Sequence, residues 1–127
     1  MFRSYELPEG YVIEPRNAES WTSAYEQVGD VLWPAFCRWA EDGVVVEDAD
    51  NVPDVENFKE QFCGQWPSFY AYALQLAEDI GLMDGVDADS PLRTYFDWAW
   101  WAADVSCDYT VSATRTSEGG VYIFRNF

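Results

Sequence analysis

The segment TYFDWAWWAADVSCD, residues 94–108, is the stretch on which the predicted fold depends most. Five aromatic side chains lie in it, with three aspartates set among them. Asp97 stands where a helix N-cap would, because a short carboxylate there can accept hydrogen bonds from the free N–H groups of the first turn. The residues that recur at helical spacing after it, and that we expect to be buried, are Trp98, Trp101 and Val105. Asp104 lies off that row and should face water.

Downstream of this helix the pattern becomes extended. Residues 109–114 alternate apolar and polar side chains, SEGG at 117–120 is a turn sequence, and VYIF at 121–124 is rich in strand formers. This combination predicts a β-hairpin. We therefore expect a small antiparallel sheet that includes the C-terminal hairpin.

Upstream, the first long helix is predicted to follow a cap at Asn17 or Ser20. Its expected apolar face consists of Trp21, Ala24, Tyr25 and Val28. Gly29 weakens this helix, and Pro34 either kinks it or begins a second one. Residues 41–56 then form an acidic surface loop.

Two more helices are predicted in the middle of the chain. One begins at Pro53 or Asp54 and ends at Gly64, because glycine commonly terminates helices. The other begins after Ser68, and its expected inward face consists of Phe69, Tyr72, Ala73, Leu76 and Ile80. Ser90 then begins a short helical turn that leads to the aromatic segment.

Together these elements predict an α+β fold that is mainly helical and has a small antiparallel β-sheet. We divide the 127-residue chain into three parts. These are an extended N-terminal arm over residues 1–16, a helical lobe over 17–57 and an α+β C-terminal lobe over 58–127.

The charge balance is the strongest functional signal. The chain has 23 Asp and Glu residues against 7 Lys and Arg residues, which gives a net charge of −16 and a pI near 4.1. Solubility of a small domain needs only about 2 to 8 charges, and a larger excess costs stability through self-repulsion. The sign disfavours nucleic acid and anionic membranes as direct partners. It favours a basic protein surface, such as one that itself binds DNA.

The candidate partner-binding surface consists of fifteen acidic residues along the chain. They are Glu41, Asp42, Glu47, Asp48, Asp50, Asp54, Glu56, Glu60, Glu78, Asp79, Asp84, Asp87, Asp89, Asp104 and Asp108. Duplex DNA carries one charge per about 1.7 Å of its axis, so sixteen net charges match about 8 base pairs. Carboxylates at such a density could occupy a groove that normally binds DNA.

Other classes of function are disfavoured. The chain has no histidine to activate a nucleophile, and its acids lack the spacing of a calcium loop. We therefore expect no enzyme activity, no metal site and no cofactor. An acid-rich glycosidase stays as the less favoured alternative, because paired carboxylates and tryptophans could act on a sugar.

The cysteines and the apolar runs bear on the compartment. Cys37, Cys63 and Cys107 are odd in number and widely spaced, so we expect buried thiols in a reducing cytoplasm rather than disulfides. The N-terminus lacks the apolar run of a signal peptide, and no run is long enough to span a membrane. The expected location is the cytoplasm.

Two segments carry a family pattern. In FKEQFCGQWPSFYAYALQLAEDIGL, residues 58–82, the matching positions are Phe58, Phe62, Gly64, Trp66, Ser68, Tyr72 and Ala73. In residues 94–127 they are Tyr95, Phe96, Asp97, Trp98, Asp104, Asp108, Tyr109, Val121, Phe124 and Arg125. These segments resemble the central and closing regions of ArdA-type antirestriction proteins, and residues 17–57 are similar more loosely.

The resemblance implies an elongated, acidic protein that mimics bent duplex DNA and usually dimerises. It would occupy the DNA-binding groove of a type I restriction–modification enzyme, with the methyltransferase core as partner. The expected setting is a host cytoplasm, with the gene carried by a phage or mobile element. The alternative is a DNA mimic aimed at a nucleoid protein, a CRISPR effector or a repressor. The chain is shorter than the family pattern, and we expect it to lack the family's N-terminal β-rich domain.

A homodimer is also expected from the supply of apolar side chains. Three tryptophans on one short helix cannot all face a single core, and Trp100 is the one expected to point outward. Exposed apolar patches usually mark interfaces, and two-fold symmetry is the commonest way to double a surface. The expected dimer interface consists of Trp100, Val121 and Ile123.

Overall fold

The computed structural model describes residues 7–8, 10–42, 45–114 and 119–126, and the chain divides into two compact units, residues 1–62 and 63–127. In chain order the elements are α1 (Ala18–Glu41), α2 (Val55–Gln61), β1 (Phe62–Trp66), α3 (Phe69–Asp79), α4 (Pro91–Tyr95), α5 (Trp98–Val105), a 3-10 turn (Ser106–Asp108), β2 (Tyr109–Ala113) and β3 (Val121–Arg125). The predicted α+β class, mainly helical with a small antiparallel sheet, is confirmed. The predicted three-part division stays a prediction. Residues 1–6 and 9 of the predicted arm, and 117–118 of the predicted turn, lie outside the described residues.

An aromatic core holds the first unit together. Trp33 stacks on Phe36 with ring centroids 5.1 Å apart, and Phe36 meets Phe58 of α2 edge-on at 5.3 Å. Trp21 contacts Trp33 from the first half of α1. Trp39 is buried as well, and its Nε1 donates a hydrogen bond to a glutamine side chain of α2 at 3.0 Å. Rings of this size bury large apolar areas and can stabilise a small core.

Helix α1 is interrupted at Gly29, whose φ of 85° is not helical. It therefore consists of two segments, 18–28 and 30–41, with Pro34 in the second. Glycine has no Cβ and adopts positive φ at little cost. The predicted weak point at Gly29 is confirmed, and the helix breaks there rather than at Pro34.

Strand β1 corrects the predicted end of helix α2. The sequence pattern predicted a helix through Gly64, but α2 ends at Gln61 and Phe62 has an extended backbone with ψ of 120°. Strand β1 lies beside β3 in a sheet of order β1-β3-β2. Gly64 has a φ of 107° within the strand, so it is not a helix cap. Pairing with a strand distant in sequence outweighs the local helical pattern, because strand preference depends on context.

The predicted C-terminal hairpin is confirmed. Strands β2 and β3 are antiparallel, with Val111 opposite Ile123 and Ser112 opposite Tyr122. Strand β3 is central in the sheet, and Tyr122, Ile123 and Phe124 are all buried. Ser112 is buried too, whereas Val111 is 42% exposed, so the polar member of this alternation faces inward.

Helix α3 also begins as predicted, since Ser68 Oγ accepts a hydrogen bond from Ala71 N at 3.1 Å. Its buried residues are Tyr72, Ala73 and Ala77. Ile80 was expected on the same face but is 60% exposed. It follows the end of the helix at Asp79 and so leaves the helical row.

Helix α5 begins where expected but is less buried than expected. Asp97 Oδ1 accepts a hydrogen bond from Trp100 N at 2.9 Å, which confirms the N-cap. Ala102 is the buried residue of this helix, whereas Trp98, Trp101 and Val105 are only half-buried. The helix packs against α3, but its eight residues offer a narrow contact face. The indoles of Trp98 and Trp101 instead meet each other edge-on at 6.0 Å.

Candidate functional site

Most of the candidate acidic residues are open to solvent. Those that are exposed are Asp42, Glu47, Asp48, Glu56, Glu60, Glu78, Asp79, Asp84, Asp87, Asp89, Asp104 and Asp108. Glu41, Asp50 and Asp54 are half-buried. The exposed acids lie on helices and loops of both units, so neither unit alone carries the negative surface.

Glu41 is less open to solvent than most of the candidate acids, and its place in the partner-binding surface stays a prediction. Its side chain is only 9% exposed and lies 3.8 Å from the guanidinium of Arg38, one helical turn earlier. Arg38 Nε is buried without a hydrogen-bond acceptor. Segment 30–41 of α1 packs half of its residues into the core, including Trp39 and Ala40 just before Glu41. The carboxylate of Glu41 therefore offsets the charge of a largely buried cation.

Three acids in the loop over residues 45–54 accept hydrogen bonds that stabilise the conformation of the loop. Asp48 Oδ1 accepts hydrogen bonds from the N–H groups of Asp50, at 2.8 Å, and Val52, at 3.1 Å. Asp50 Oδ2 accepts a hydrogen bond from Ser20 Oγ at 2.7 Å. Asp54 Oδ1 accepts backbone N–H groups at the start of α2 and so caps it. These carboxylates are negative groups held in defined positions.

The backbone of the same loop is closed like a small hairpin. Glu47 and Pro53 form an isolated antiparallel bridge. Asp48 N donates to Val52 O at 2.9 Å, and the turn includes Asn51 with a φ of 61°. Asparagine tolerates this conformation better than most residues. The predicted acidic surface loop is therefore an ordered turn.

A tyrosine joins this loop to the N-terminal arm. Tyr11 Oη donates a hydrogen bond to a carboxylate oxygen of Glu47, and its ring meets Trp21 edge-on at 5.4 Å. Burial raises the pKa of Tyr11 to about 12, with the bond to Glu47 as the next cause. The phenol is thus a donor at neutral pH, and Glu47 is held in one orientation.

In the second unit, a basic side chain organises the acidic loop over residues 83–90. Arg93 of α4 donates hydrogen bonds from Nε to the carbonyls of Val86, at 2.9 Å, and Asp87, at 3.1 Å. Its Nη2 donates to the carbonyls of Met83, at 3.3 Å, and Val86, at 2.8 Å. Arg93 therefore binds the loop backbone and leaves the loop carboxylates open.

Sequence reasoning missed three exposed acids on α1. Glu19 and Glu26 are seven positions apart, so they lie on one face of the first helical segment, about 10 Å apart along its axis. Asp30 is exposed just after the break at Gly29. The signal was available, because all three stand outside the apolar row of this helix. We add them to the acidic surface.

The predicted dimer residues differ in exposure. Trp100 is 66% exposed, as expected. Val121 is half-buried, and Ile123 is fully buried with 0% exposure, because β3 is the central strand of the sheet. Ile123 therefore has no surface to offer a second chain. Val111, opposite Ile123 on the edge strand β2, is 42% exposed and takes its place as a candidate.

The thiols depart from the prediction in two of three cases. Cys37 is buried, Cys63 is half-buried and Cys107 is exposed, and none of the three is in a disulfide. In the part of the chain that the structure describes, no group of three His, Cys, Asp or Glu side chains is placed to hold a metal ion. No helix among the described residues is both long and apolar enough to cross a membrane.

A comparison with protein families identifies a match over most of the chain. Residues 2–119 match the family described as antirestriction protein (ArdA). The match thus includes the first half of the chain, all of the segment 58–82 and the segment 94–127 as far as residue 119. No curated protein and no solved structure matches the chain significantly.

Proposed function

The chain belongs to the ArdA family of antirestriction proteins, and we propose that it acts as a mimic of duplex DNA. Membership implies an inhibitor that interacts with restriction–modification enzymes. The proposed target is a type I enzyme, and the proposed site is the groove of its methyltransferase core in which DNA binds. The chain would act in the cytoplasm of a host, with the gene carried by a phage or mobile element.

One observation supports the mimic above others: many exposed carboxylates are left without a partner. Among the described residues, none donates a hydrogen bond to the carboxylates of Glu19, Glu26, Asp30, Glu56, Glu60, Glu78, Asp84, Asp87, Asp89, Asp104 or Asp108. Surface acids in most proteins are interspersed with lysine and arginine. Here their charge stays available to a basic partner.

The placement of charge on α3 supports the same interpretation. Glu78 and Asp79 lie at the C-terminal end of the helix, and its last turn has no basic residue. A helix C-terminus carries partial negative charge, so acids there cost about 0.3–1 kcal/mol. A protein under selection for stability alone would favour cations at this end. The cost is consistent with a surface whose negative charge has a use.

The amount of charge suits a DNA-binding groove. Residues 1–62 contain 14 acids and 4 basic residues, and residues 63–127 contain 9 acids and 3 basic residues. Both units are therefore strongly negative, and the total of −16 matches the phosphates of about 8 base pairs. Lysines and arginines that bind DNA phosphates would meet carboxylates instead. Binding by this route releases counterions and weakens as salt is added.

A homodimer is part of the proposal. One chain has the charge of about 8 base pairs, and a symmetric pair would double that number. The proposed contact uses Trp100 of α5 and Val121 of β3, with Val111 of β2 in place of the buried Ile123. Trp100 and Val111 are exposed in the single chain, and Val121 is half-buried. Burial of these side chains would have to offset the repulsion between two chains of −16 each.

Competition with DNA tests the proposed function. A labelled duplex bound to a type I methyltransferase core is titrated with the chain at low and at high salt. We expect displacement at stoichiometric concentrations at low salt and poorer displacement at high salt. A basic protein that does not bind DNA serves as the control for unspecific charge attraction. Displacement that is absent, or that does not change with salt, would overturn the proposal.

A further inference from the structure

Arg93 is placed unusually for a basic side chain in an acidic region. Three aspartates lie within ten residues before it, yet its guanidinium makes four hydrogen bonds to backbone carbonyls of the loop 83–90. An arginine near free carboxylates commonly forms a bidentate pair with one of them. Arg93 instead binds Met83, Val86 and Asp87 through main-chain oxygens.

Backbone hydrogen bonds also hold both ends of the loop 83–90. Leu82 N donates to Ala77 O at 2.9 Å where α3 ends, and Ser90 N donates to Asp87 O at 2.9 Å where α4 begins. Between these points Val86 N donates to Met83 O at 3.0 Å. Asp84 N also donates to Gly81 O at 3.0 Å. To these backbone bonds the side chain of Arg93 adds four more, which join the loop to α4.

In this arrangement the positive charge of Arg93 and its N–H donors have different roles. The charge of Arg93 reduces the repulsion among Asp84, Asp87 and Asp89, while its donors fix the backbone that carries them. The three carboxylates remain exposed and accept no hydrogen bond from the described residues. The fork of N–H donors is rigid and planar, so a lysine could not make the same set of bonds.

The loop also shapes its surroundings. Asp84, Met83 and Arg93 line a cleft of about 650 Å³ whose other walls include Leu74 of α3 and Trp98 of α5. A loop that loosened would change both the spacing of its carboxylates and the form of this cleft. Preorganised groups bind more tightly because less conformational entropy is lost on binding.

We propose that Arg93 is a positioning residue, which fixes loop 83–90 so that Asp84, Asp87 and Asp89 meet a basic partner as a preorganised set. The inference rests on the proposed function for its partner. It assigns a positive residue an essential part in a negative surface, which charge counting would not suggest.

The first test needs no partner. Hydrogen exchange of the backbone amides is measured in the parent, in Arg93→Lys and Arg93→Gln, and in Arg16→Gln as the control. Arg16 pairs with Glu14 on the surface of the first unit at 2.8 Å, so its loss changes the charge equally without touching the loop. We expect exchange in residues 83–90 to become at least about 10-fold faster in both Arg93 variants and to stay unchanged in the control. Unchanged exchange in the Arg93 variants would overturn the inference.

The second test uses the sign of the charge effect, with a type I methyltransferase core as the probe. If charge alone mattered, Arg93→Gln and Arg16→Gln would both strengthen binding to a basic groove. We expect Arg16→Gln to do so slightly, and Arg93→Gln to weaken binding about 3- to 10-fold despite its greater negative charge. Arg93→Lys should also weaken it, although its charge is that of the parent. An Arg93→Gln chain that binds as tightly as Arg16→Gln would overturn the inference.

A double-mutant cycle separates positioning from general destabilisation. In a chain that already carries Asp84→Asn, Asp87→Asn and Asp89→Asn, the loss of Arg93 should have no further effect on binding. A merely structural role would lower binding in that background too, which would contradict the inference. If the parent itself fails to bind the core, the proposed function fails, while hydrogen exchange still decides whether Arg93 fixes the loop.

Discussion

Tyr11 and Glu47 are joined by a hydrogen bond from the phenol to the carboxylate, across 36 positions of sequence. The bond connects the N-terminal arm to the ordered acidic loop 45–54. It shows how this protein holds its acids: several carboxylates are oriented by neutral donors, namely a phenol, a serine hydroxyl and backbone N–H groups. Neutral donors orient a carboxylate and leave its charge in place. A lysine or arginine would orient the carboxylate but would also neutralise its charge.

The Tyr11–Glu47 bond predicts a stability change in alkali. The pKa of Tyr11 in the folded chain is raised from 10.0 to about 12, so the fold holds a proton that the unfolded chain releases. This stabilisation is complete below pH 10 and is lost as the pH rises through 12. The advantage in unfolding free energy of the parent over Tyr11→Phe should therefore shrink over that window, by about 1 kcal/mol after solvent screening.

Urea unfolding of both chains at several pH values measures this advantage. Tyr95→Phe, at an exposed position, controls for the loss of a phenol. An advantage that stays constant from about pH 9 to pH 12 would contradict the role given to Tyr11.

Neutralising the acids that have no partner should act through their sum. Glu19→Gln, Glu26→Gln, Glu56→Gln or Glu60→Gln alone should change inhibition of the restriction enzyme by about two-fold or less, because exposed charges contribute little singly. The four together should weaken it more than about 10-fold, since the field is additive. Inhibition assays at fixed salt measure this. A single substitution that abolished inhibition would point instead to one catalytic or anchoring carboxylate.

Asp48 allows charge and loop geometry to be separated. Asp48→Asn removes the charge but keeps an oxygen that can accept the N–H groups of Asp50 and Val52, whereas Asp48→Ala removes both. We expect Asp48→Ala to lower the unfolding free energy by about 1–2 kcal/mol and Asp48→Asn by clearly less. Since the two variants have equal charge, any further loss of inhibition in Asp48→Ala reports the ordered loop. Equal inhibition by the two would show that loop order does not matter to the partner.

The proposed dimer should respond to salt in the opposite sense from target binding. Added salt screens the repulsion between two chains of −16, so self-association should strengthen. Trp100→Glu should abolish it, whereas Val31→Glu, at a 90% exposed position of the first unit, adds the same charge as a control. Sedimentation at low and high salt measures both. A parent that stays monomeric at micromolar concentration in both salts would exclude the dimer, and a Trp100→Glu dimer would place the contact elsewhere.

Four helix caps were predictable from sequence because they are local, whereas Asn17 at the start of α1 makes no side-chain cap hydrogen bond. Asp54, Ser68, Ser90 and Asp97 each accept a hydrogen bond from an N–H within three residues. Ser68, Ser90 and Asp97 were expected to begin helices, and Asp54 was one of the two expected starts of α2. The interaction depends on nothing distant, so the sequence around it is sufficient. The hairpin was predictable for a similar reason, since its two strands lie close together in sequence.

What could not be predicted depends on distant partners. Residues 62–64 resemble the end of a helix, and it is pairing with the neighbouring strand β3 that makes them part of a strand. The burial of Ile123 has the same origin, because a hairpin pattern does not reveal which strand becomes central. The structural roles of Asp48 and Asp50 were missed because an acidic loop, as a sequence, does not show which carboxylates find donors.

The unpartnered acids have a consequence for the folded chain before it meets any target. Their mutual repulsion opposes compaction, and dissolved cations relieve it. The free protein should therefore be most stable in concentrated salt, where its affinity for a basic groove would be lowest. Salt therefore changes folding stability and target affinity in opposite directions. At the intermediate salt of a cell, both would have intermediate values. Basic residues of the bound enzyme would then neutralise the exposed carboxylates, as dissolved cations do for the free protein.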